Sequence, residues 1–201
     1  MDQTQCIYLD VSSVKRLVKE RENSDKYRID ELVVAIFLAK FCERLWKVEC
    51  GIGFPLKNSQ ADSIPPISTS QLQEVKDILN AKTEQDHDID VVIARHTPNS
   101  SERDGVGFQI KRFNTYQTDT TTDGLIKFIK GQELKYIKTD TALVILLETG
   151  GTTKFTQVRD SIDPKHFPFS KLYFVGLYGD KLRFVEVWPD LGKEEVGWSA
   201  V

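Results

Sequence analysis

The sequence has few cysteines, and none of them has the spacing of a metal ligand. The chain of 201 residues contains three, Cys6, Cys42 and Cys50. An odd number of cysteines, with no signal-peptide pattern in residues 1–5, predicts a reducing, cytoplasmic environment. No apolar run is long enough to cross a membrane, so we expect no membrane partner.

Other familiar signatures are missing too. The chain has no glycine-rich phosphate loop, no Gly-x-Ser-x-Gly and no paired zinc ligands, which argues against several enzyme classes. The net charge is −3, so nucleic-acid binding would require a local basic surface. Hydrophobic residues make up 40% and charged residues 28%, as in soluble globular proteins. The length predicts a single domain over residues 1–201 with a sizeable core.

The first part of the chain is predicted to be mainly helical. Apolar residues at helical spacing predict a helix over residues 10–22 and a longer one over 27–46, whose apolar stripe extends to Leu45. Weak alternation predicts a strand over 46–50, which the glycines that follow would end. A surface segment containing prolines and a short capped helix are predicted within 54–82.

Two apolar segments further along, residues 86–94 and 106–113, are rich in β-branched and aromatic residues and are typical of strands. The residues between them, 97–105, are dense in turn formers. Together they predict a β-hairpin, whose loop we centre near Ser100 and Ser101.

Three polar side chains converge in this predicted hairpin. Asp90 lies across from Lys111, and Gln109 shares a face with Lys111, whereas Ile110 points the other way. Buried charges must be paired or bind metal, so this arrangement needs an explanation. One alternative is an unrelated α/β domain in which Asp90 and Lys111 form a cross-strand ion pair worth under about 1 kcal/mol.

A further helix is predicted over residues 123–138, with Leu134 and Ile137 on its apolar face. Its lysines lie off that face and form the best local basic patch in the chain. These lysines are Lys127, Lys130, Lys135 and Lys138. A solvated helix face is the alternative explanation.

The continuous apolar run over 141–147 predicts a central strand buried on both faces and entered from a helix by a crossover. Residues 152–170 are predicted to be irregular, and residues 172–178 and 182–188 to form a terminal hairpin. The order helix, three strands, helix, strand and added hairpin predicts an α/β fold, a mixed central sheet flanked by helices.

The pattern of Asp90 followed by Gln109-Ile110-Lys111 resembles the PD-(D/E)xK nuclease superfamily, which has the restriction-endonuclease-like fold. The most similar branch is the Mrr-like one, in which Gln-x-Lys replaces an acidic residue and lysine. The resemblance covers roughly residues 27–148. The helix at 10–22 and the hairpin at 170–190 would then be extensions of the core.

This resemblance implies an Mg²⁺-dependent endonuclease that hydrolyses phosphodiester bonds, with DNA in restriction or defence as the expected setting and Mn²⁺ as a substitute ion. The implied metal ligands are Asp90, the side-chain oxygen of Gln109, the backbone carbonyl of Ile110, and Glu31 on the long helix. Lys111 would orient the attacking water or help to deprotonate it. Asp88 is the reserve ligand. Because Gln109 lacks the usual negative charge, weaker metal binding is expected.

Double-stranded DNA is the implied partner, and a homodimer is plausible because cutting both strands is easier with two sites. Arg112 and the four lysines would contact phosphates. Two alternatives stay open. The fold could be a catalytically silent module that binds nucleic acid or protein, and Glu31 could simply be a first-turn carboxylate that the helix dipole favours. Glu43 and His87 are weaker candidates for ligands.

Overall fold

The computed structural model describes residues 6–9, 11–12, 14–15, 26–55, 89–95, 105–113, 119–148, 153–178 and 181–195. The protein is α/β, and it divides into two compact units, Met1–Gly107 and Phe108–Val201. The described elements of the first unit are β1 (Cys6–Leu9), α1 (Lys26–Trp46), β2 (Cys50–Pro55), β3 (Val91–Arg95) and the start of β4 (Gly105–Phe113). No helix in the described part of the chain is both long and apolar enough to cross a membrane.

In the first unit, β2 pairs antiparallel with both β1 and β3. Ile7 is the partner of Phe54, and Ile52 is the partner of Ile93. The long helix α1 packs on β2 and β3. Of the helix predicted over 10–22, the described residues are helical, and Val11 and Val14 are buried. The rest of that prediction lies outside the described residues.

The middle of α1 is buried on every side, from Val34 to Ala39. This confirms the predicted core helix, but Leu45 is 59% exposed because the last turn extends beyond the packed region. The helix ends at Trp46, and Lys47 adopts a left-handed backbone with φ of 56°. The amide of Lys47 donates to the carbonyl of Glu43 at 2.8 Å, which closes the last turn before the chain enters β2.

The prediction for the strand after α1 was wrong in its bounds. Residues 46–49 complete the helix and a turn, and β2 begins at Cys50 and continues through Gly51 and Gly53. Glycine weakens an isolated strand, but β2 is paired along both edges, and tertiary pairing overrides the low propensity. The predicted helix within 54–82 lies outside the described residues.

Cys42 and Cys50 are buried and should react slowly with thiol reagents. Burial raises the pKa of Cys42 to about 12, and burial followed by the Glu43 carboxylate raises that of Cys50 to about 11. At pH 8 the thiolate fraction is then on the order of 1 in 1,000 or less. In a Cys6→Ser background, we expect almost no labelling at pH 8 in buffer and two labels per chain in denaturant. Rapid labelling of the native chain would contradict the packing of α1 on β2.

The second unit contains β4 from Phe108 onward and a series of alternating elements. These are α2 (Thr122–Glu133), β5 (Ala142–Leu147), α3 (Phe155–Asp160), β6 (Lys171–Tyr178), β7 (Lys181–Trp188) and β8 (Gly192–Glu195). The strands form a mixed sheet in the order β4-β5-β6-β7-β8. β4, β5 and β6 are parallel, and β7 and β8 continue the sheet antiparallel. The helix α2 therefore lies in a parallel crossover, as predicted.

One face of this sheet packs against α2, α3 and the segment that leads into β6. Its core includes Leu143 and Ile145 from β5 and Leu125 and Ile129 from α2. Every residue from Ala142 to Leu146 is buried, which confirms the prediction of a strand buried on both faces.

The predicted helix over 123–138 is five residues too long. α2 ends at Glu133, and Leu134 and Ile137 are exposed rather than on an apolar face. The chain leaves the helix so that Tyr136 can turn inward, where its ring centroid lies 5.1 Å from that of Phe169. One aromatic side chain thus replaces two aliphatic side chains in the core.

The segment over 152–170 is not wholly irregular as predicted. It contains the short helix α3 and a turn that buries Phe167 and Phe169. The terminal hairpin is confirmed by the pairing of Tyr178 with Lys181, but β6 also pairs with β5, so the hairpin is part of the sheet. β1 and β8 were not predicted.

Candidate functional site

Asp90 lies directly before β3 and is half-buried. The pairing of Gly53 with Val92 places Asp90 near the Pro55 end of β2. α1 covers the face of β3 that carries Arg95, whose guanidinium carbon lies 4.7 Å from the ring centroid of Trp46. Strand alternation continued back by one residue would direct Asp90 to the opposite face.

Glu31 is the sixth residue of α1, and its side chain lies outside the described residues. The first turn of α1 contains no acidic residue, so the helix dipole, which acts within that turn, does not explain Glu31. β2 runs back along α1 after a tight turn. At about 1.5 Å per helical residue and 3.3 Å per strand residue, Glu31 therefore lies toward the same end of the first unit as Asp90.

Glu43 lies at the other end of α1. Its carboxylate accepts from the amide of Cys50 at 3.3 Å and pairs with Lys40 at 2.5 Å. Cys50 is the partner of Arg95, so Glu43 lies about 16 Å of strand away from Asp90. Glu43 joins α1 to β2 and is not placed near Asp90. Asp88 and His87 lie outside the described residues.

The predicted hairpin is supported at its loop end, within the first unit. A Cβ atom added to Gly105 would lie 2.8 Å from the carbonyl oxygen of Ile93 and 3.1 Å from the Cα of Ala94. The start of β4 therefore runs directly against the end of β3, and only glycine permits this close approach.

In the second unit, Gln109 and Lys111 lie on one face of β4, beside Leu143 and Ile145 of β5. The same face carries Phe113, whose ring lies 5.5 Å from that of Phe128 on α2. Gln109 is only 1% exposed, and it is one of three buried polar residues in the described part of the chain. A buried amide in an apolar sheet costs free energy unless its polar atoms are satisfied, so Gln109 stands out among the core residues.

Lys111 is partly buried, and its Nζ lies 5.7 Å from the ring centroid of Tyr136. The ring provides a cation–π contact that holds the ammonium toward the α2 side of the sheet. Ile110 points to the opposite face and is 4% exposed. The structure therefore brings Gln109 and Lys111 together as predicted.

Arg112 does not share that surface. It lies on the face of β4 opposite to Lys111, and its guanidinium forms an ion pair with Glu148, just after β5. An arginine held by a carboxylate is less available to a phosphate. The predicted phosphate contact of Arg112 stays a prediction, separate from the lysine patch.

The four predicted lysines are all exposed, but they form two groups. Lys127 and Lys130 are three residues apart on α2, where neighbours at this spacing share a face. Lys135 and Lys138 follow the end of the helix. The Nζ of Lys127 lies 4.0 Å from a carboxylate oxygen of Asp119, so part of its charge is already compensated.

The predicted metal ligands fit a hard cation by their chemistry. A carboxylate, an amide oxygen and a backbone carbonyl are oxygen donors, which Mg²⁺ prefers. Among the described residues, no three side chains of histidine, cysteine, aspartate or glutamate gather closely enough to hold a metal.

Sequence reasoning did not select Tyr136 or Glu148. Tyr136 was overlooked because the helical pattern continued past it, although an aromatic residue between Leu134 and Ile137 is a signal that the pattern is ambiguous. Glu148 directly follows the apolar run of β5, a position at the carboxyl end of a parallel strand where functional residues often lie.

Comparison with models of known families found no match. Neither the curated proteins nor the solved structures that were searched include a match to this chain.

Proposed function

We propose that the protein is an Mg²⁺-dependent endonuclease acting on double-stranded DNA. The observation that carries this proposal is the burial of Gln109 at 1% exposure beside the partly buried Lys111, on one face of a parallel-sheet strand. A packing role alone would favour apolar side chains at both positions. The half-buried Asp90 before β3 supplies the carboxylate that the proposal requires.

In this proposal, Asp90, Gln109 and the carbonyl of Ile110 would hold the ion. Glu31 is the further ligand that the resemblance implies, but α1 covers the face of β3 opposite to that of Asp90, so the proposal does not depend on Glu31. The bound ion would neutralise charge on the scissile phosphate and activate a water. The Lys111 ammonium would donate a hydrogen bond to the phosphoryl oxygens as negative charge develops on them. The ring of Tyr136 would keep that ammonium oriented before substrate binds.

Supercoiled plasmid provides the test. We expect the protein to convert it to nicked or linear DNA in 5 mM Mg²⁺ or Mn²⁺, at roughly neutral pH, and not in EDTA. Retention of DNA without cleavage would indicate the catalytically silent alternative. Cleavage that persists in EDTA would contradict a metal-dependent site.

The lysines of α2 should control affinity more than rate. Changing both Lys127 and Lys130 to alanine removes up to two phosphate contacts, so the slope of log K against log salt should fall by up to about 2. The exposed Lys40 and Arg44, changed together to alanine, are the matched control, because they lie on α1, in the other unit. Duplex binding measured by anisotropy at 50–200 mM salt checks this. Equal slopes for the two double variants would show that α2 is not part of the DNA-binding surface.

A further inference from the structure

Leu134 and Ile137 are 89% and 87% exposed, more than any other large apolar side chain in the described part of the chain. The next most exposed, Leu45, shows 59%. A single exposed aliphatic side chain is ordinary, but two within four residues form a small exposed apolar patch. Neither position contributes to the core, since Tyr136 occupies it instead.

Positive charge surrounds this patch. Lys135 and Lys138 lie within the same segment, Leu134–Lys138, and Lys130 precedes it by one helical turn; all three are exposed. The segment itself contains no acidic residue. Glu133 lies just before it, and burial raises the pKa of its carboxyl. An apolar tip with a basic rim is complementary to a polyanion that also offers an apolar surface.

Tyr136 fixes this patch next to the candidate catalytic lysine. The Tyr136 ring packs on the ring of Phe169, with the two centroids 5.1 Å apart. The Nζ of Lys111 lies 5.7 Å from the centroid of the same Tyr136 ring. The exposed Leu134 and Ile137 therefore flank Tyr136 in the chain, and Tyr136 contacts Lys111.

We propose that segment 134–138 is a DNA wedge: Leu134 and Ile137 insert between base steps from the minor groove while the flanking lysines contact phosphates. Apolar wedges of this kind unstack a step and kink the duplex, which allows more of the DNA to contact the protein. This inference rests on the proposed nuclease function and specifies how that site would engage and deform its substrate.

The experiment uses the full chain carrying Asp90→Asn, so that bound DNA stays intact. Binding to a 25-base-pair duplex is followed by anisotropy, and unstacking by the fluorescence of 2-aminopurine placed at successive steps. In this background, Leu134→Ser/Ile137→Ser should weaken binding about tenfold or more, because two aliphatic side chains lose their buried contacts. It should also abolish the 2-aminopurine signal. Leu191→Ser, at a 41% exposed position in the same unit, is the matched control and should change neither.

The possible outcomes test the wedge separately from the proposed endonuclease activity. If the double variant binds and unstacks the duplex like its background while the unmodified chain cleaves plasmid, the wedge is refuted and the nuclease stands. If the chain neither binds nor cleaves DNA, the wedge and the endonuclease function are both refuted. Loss of binding to anionic vesicles, or of self-association, with duplex affinity unchanged would assign the patch to a membrane or to a second copy and refute the wedge. Because both side chains are exposed, the thermal midpoint should be unaltered.

Discussion

Replacing Asp90 by asparagine should lower Mg²⁺-dependent cleavage by about 1,000-fold, and Lys111→Ala should lower it by about 100-fold or more. The first change removes the only charged group from the proposed oxygen donors, which are Asp90, Gln109 and the Ile110 carbonyl. The second removes the group that stabilises charge developing on the phosphoryl oxygens. Initial rates of plasmid nicking measure both effects.

The controls for this prediction test whether charge loss alone is responsible. Asp190→Asn and Lys138→Ala alter exposed groups of the same types, and we expect cleavage rates within about twofold of the unmodified chain for the first. Lys138→Ala should weaken binding without lowering the rate at saturating DNA. If Asp90→Asn cleaves as fast as Asp190→Asn, Asp90 has no place in the chemistry.

Gly124→Ala should destabilise the protein by about 3 kcal/mol, the largest effect we expect from so small a change. A Cβ atom at this position would lie 2.1 Å from the carbonyl oxygen of Asp119 and 2.6 Å from its Cγ. The same Asp119 carboxylate accepts from the Thr121 amide at 3.0 Å, and the Thr121 hydroxyl accepts from the Gly124 amide at 3.2 Å. The substitution therefore disrupts the cap of α2 as well as creating a clash.

Gly131 provides the matched control on the same helix. Nothing lies within 4 Å of a Cβ atom built there, so Gly131→Ala should stabilise the chain by about 0.5–1 kcal/mol through helix propensity. Denaturant unfolding at 25 °C compares the two variants. Equal stabilities would mean that the turn at residues 119–124 differs from the one described here.

The sequence was most informative where one physical pattern dominated. β5 was predicted correctly because an unbroken apolar run has few alternatives to a strand buried on both faces, and the core of α1 because its stripe is broad. The predicted boundaries of helices and strands were wrong where tertiary packing determined where an element begins or ends. Gly51 and Gly53 lie in β2 because strands pair on both sides, and α2 stops at Glu133 because Tyr136 fills the core.

The candidate site was predictable only in part for the same reason. Strand periodicity places Gln109 and Lys111 on one face, and the register with Leu143 and Ile145 agrees. No local pattern indicates that Arg112 would be held by Glu148, a residue 36 positions away. Nor does any local pattern indicate that Lys111 would meet Tyr136, since such contacts depend on a crossover whose end the sequence does not mark.

The central claim is that Asp90, Gln109 and the Ile110 carbonyl hold one divalent ion beside Lys111. An anomalous difference map from a crystal soaked in Mn²⁺ tests this most directly. We predict one strong peak at about 2.0–2.3 Å from the Asp90 carboxylate and within ligand distance of the Gln109 oxygen. A peak elsewhere, or these side chains directed to opposite faces of their strands, would contradict it.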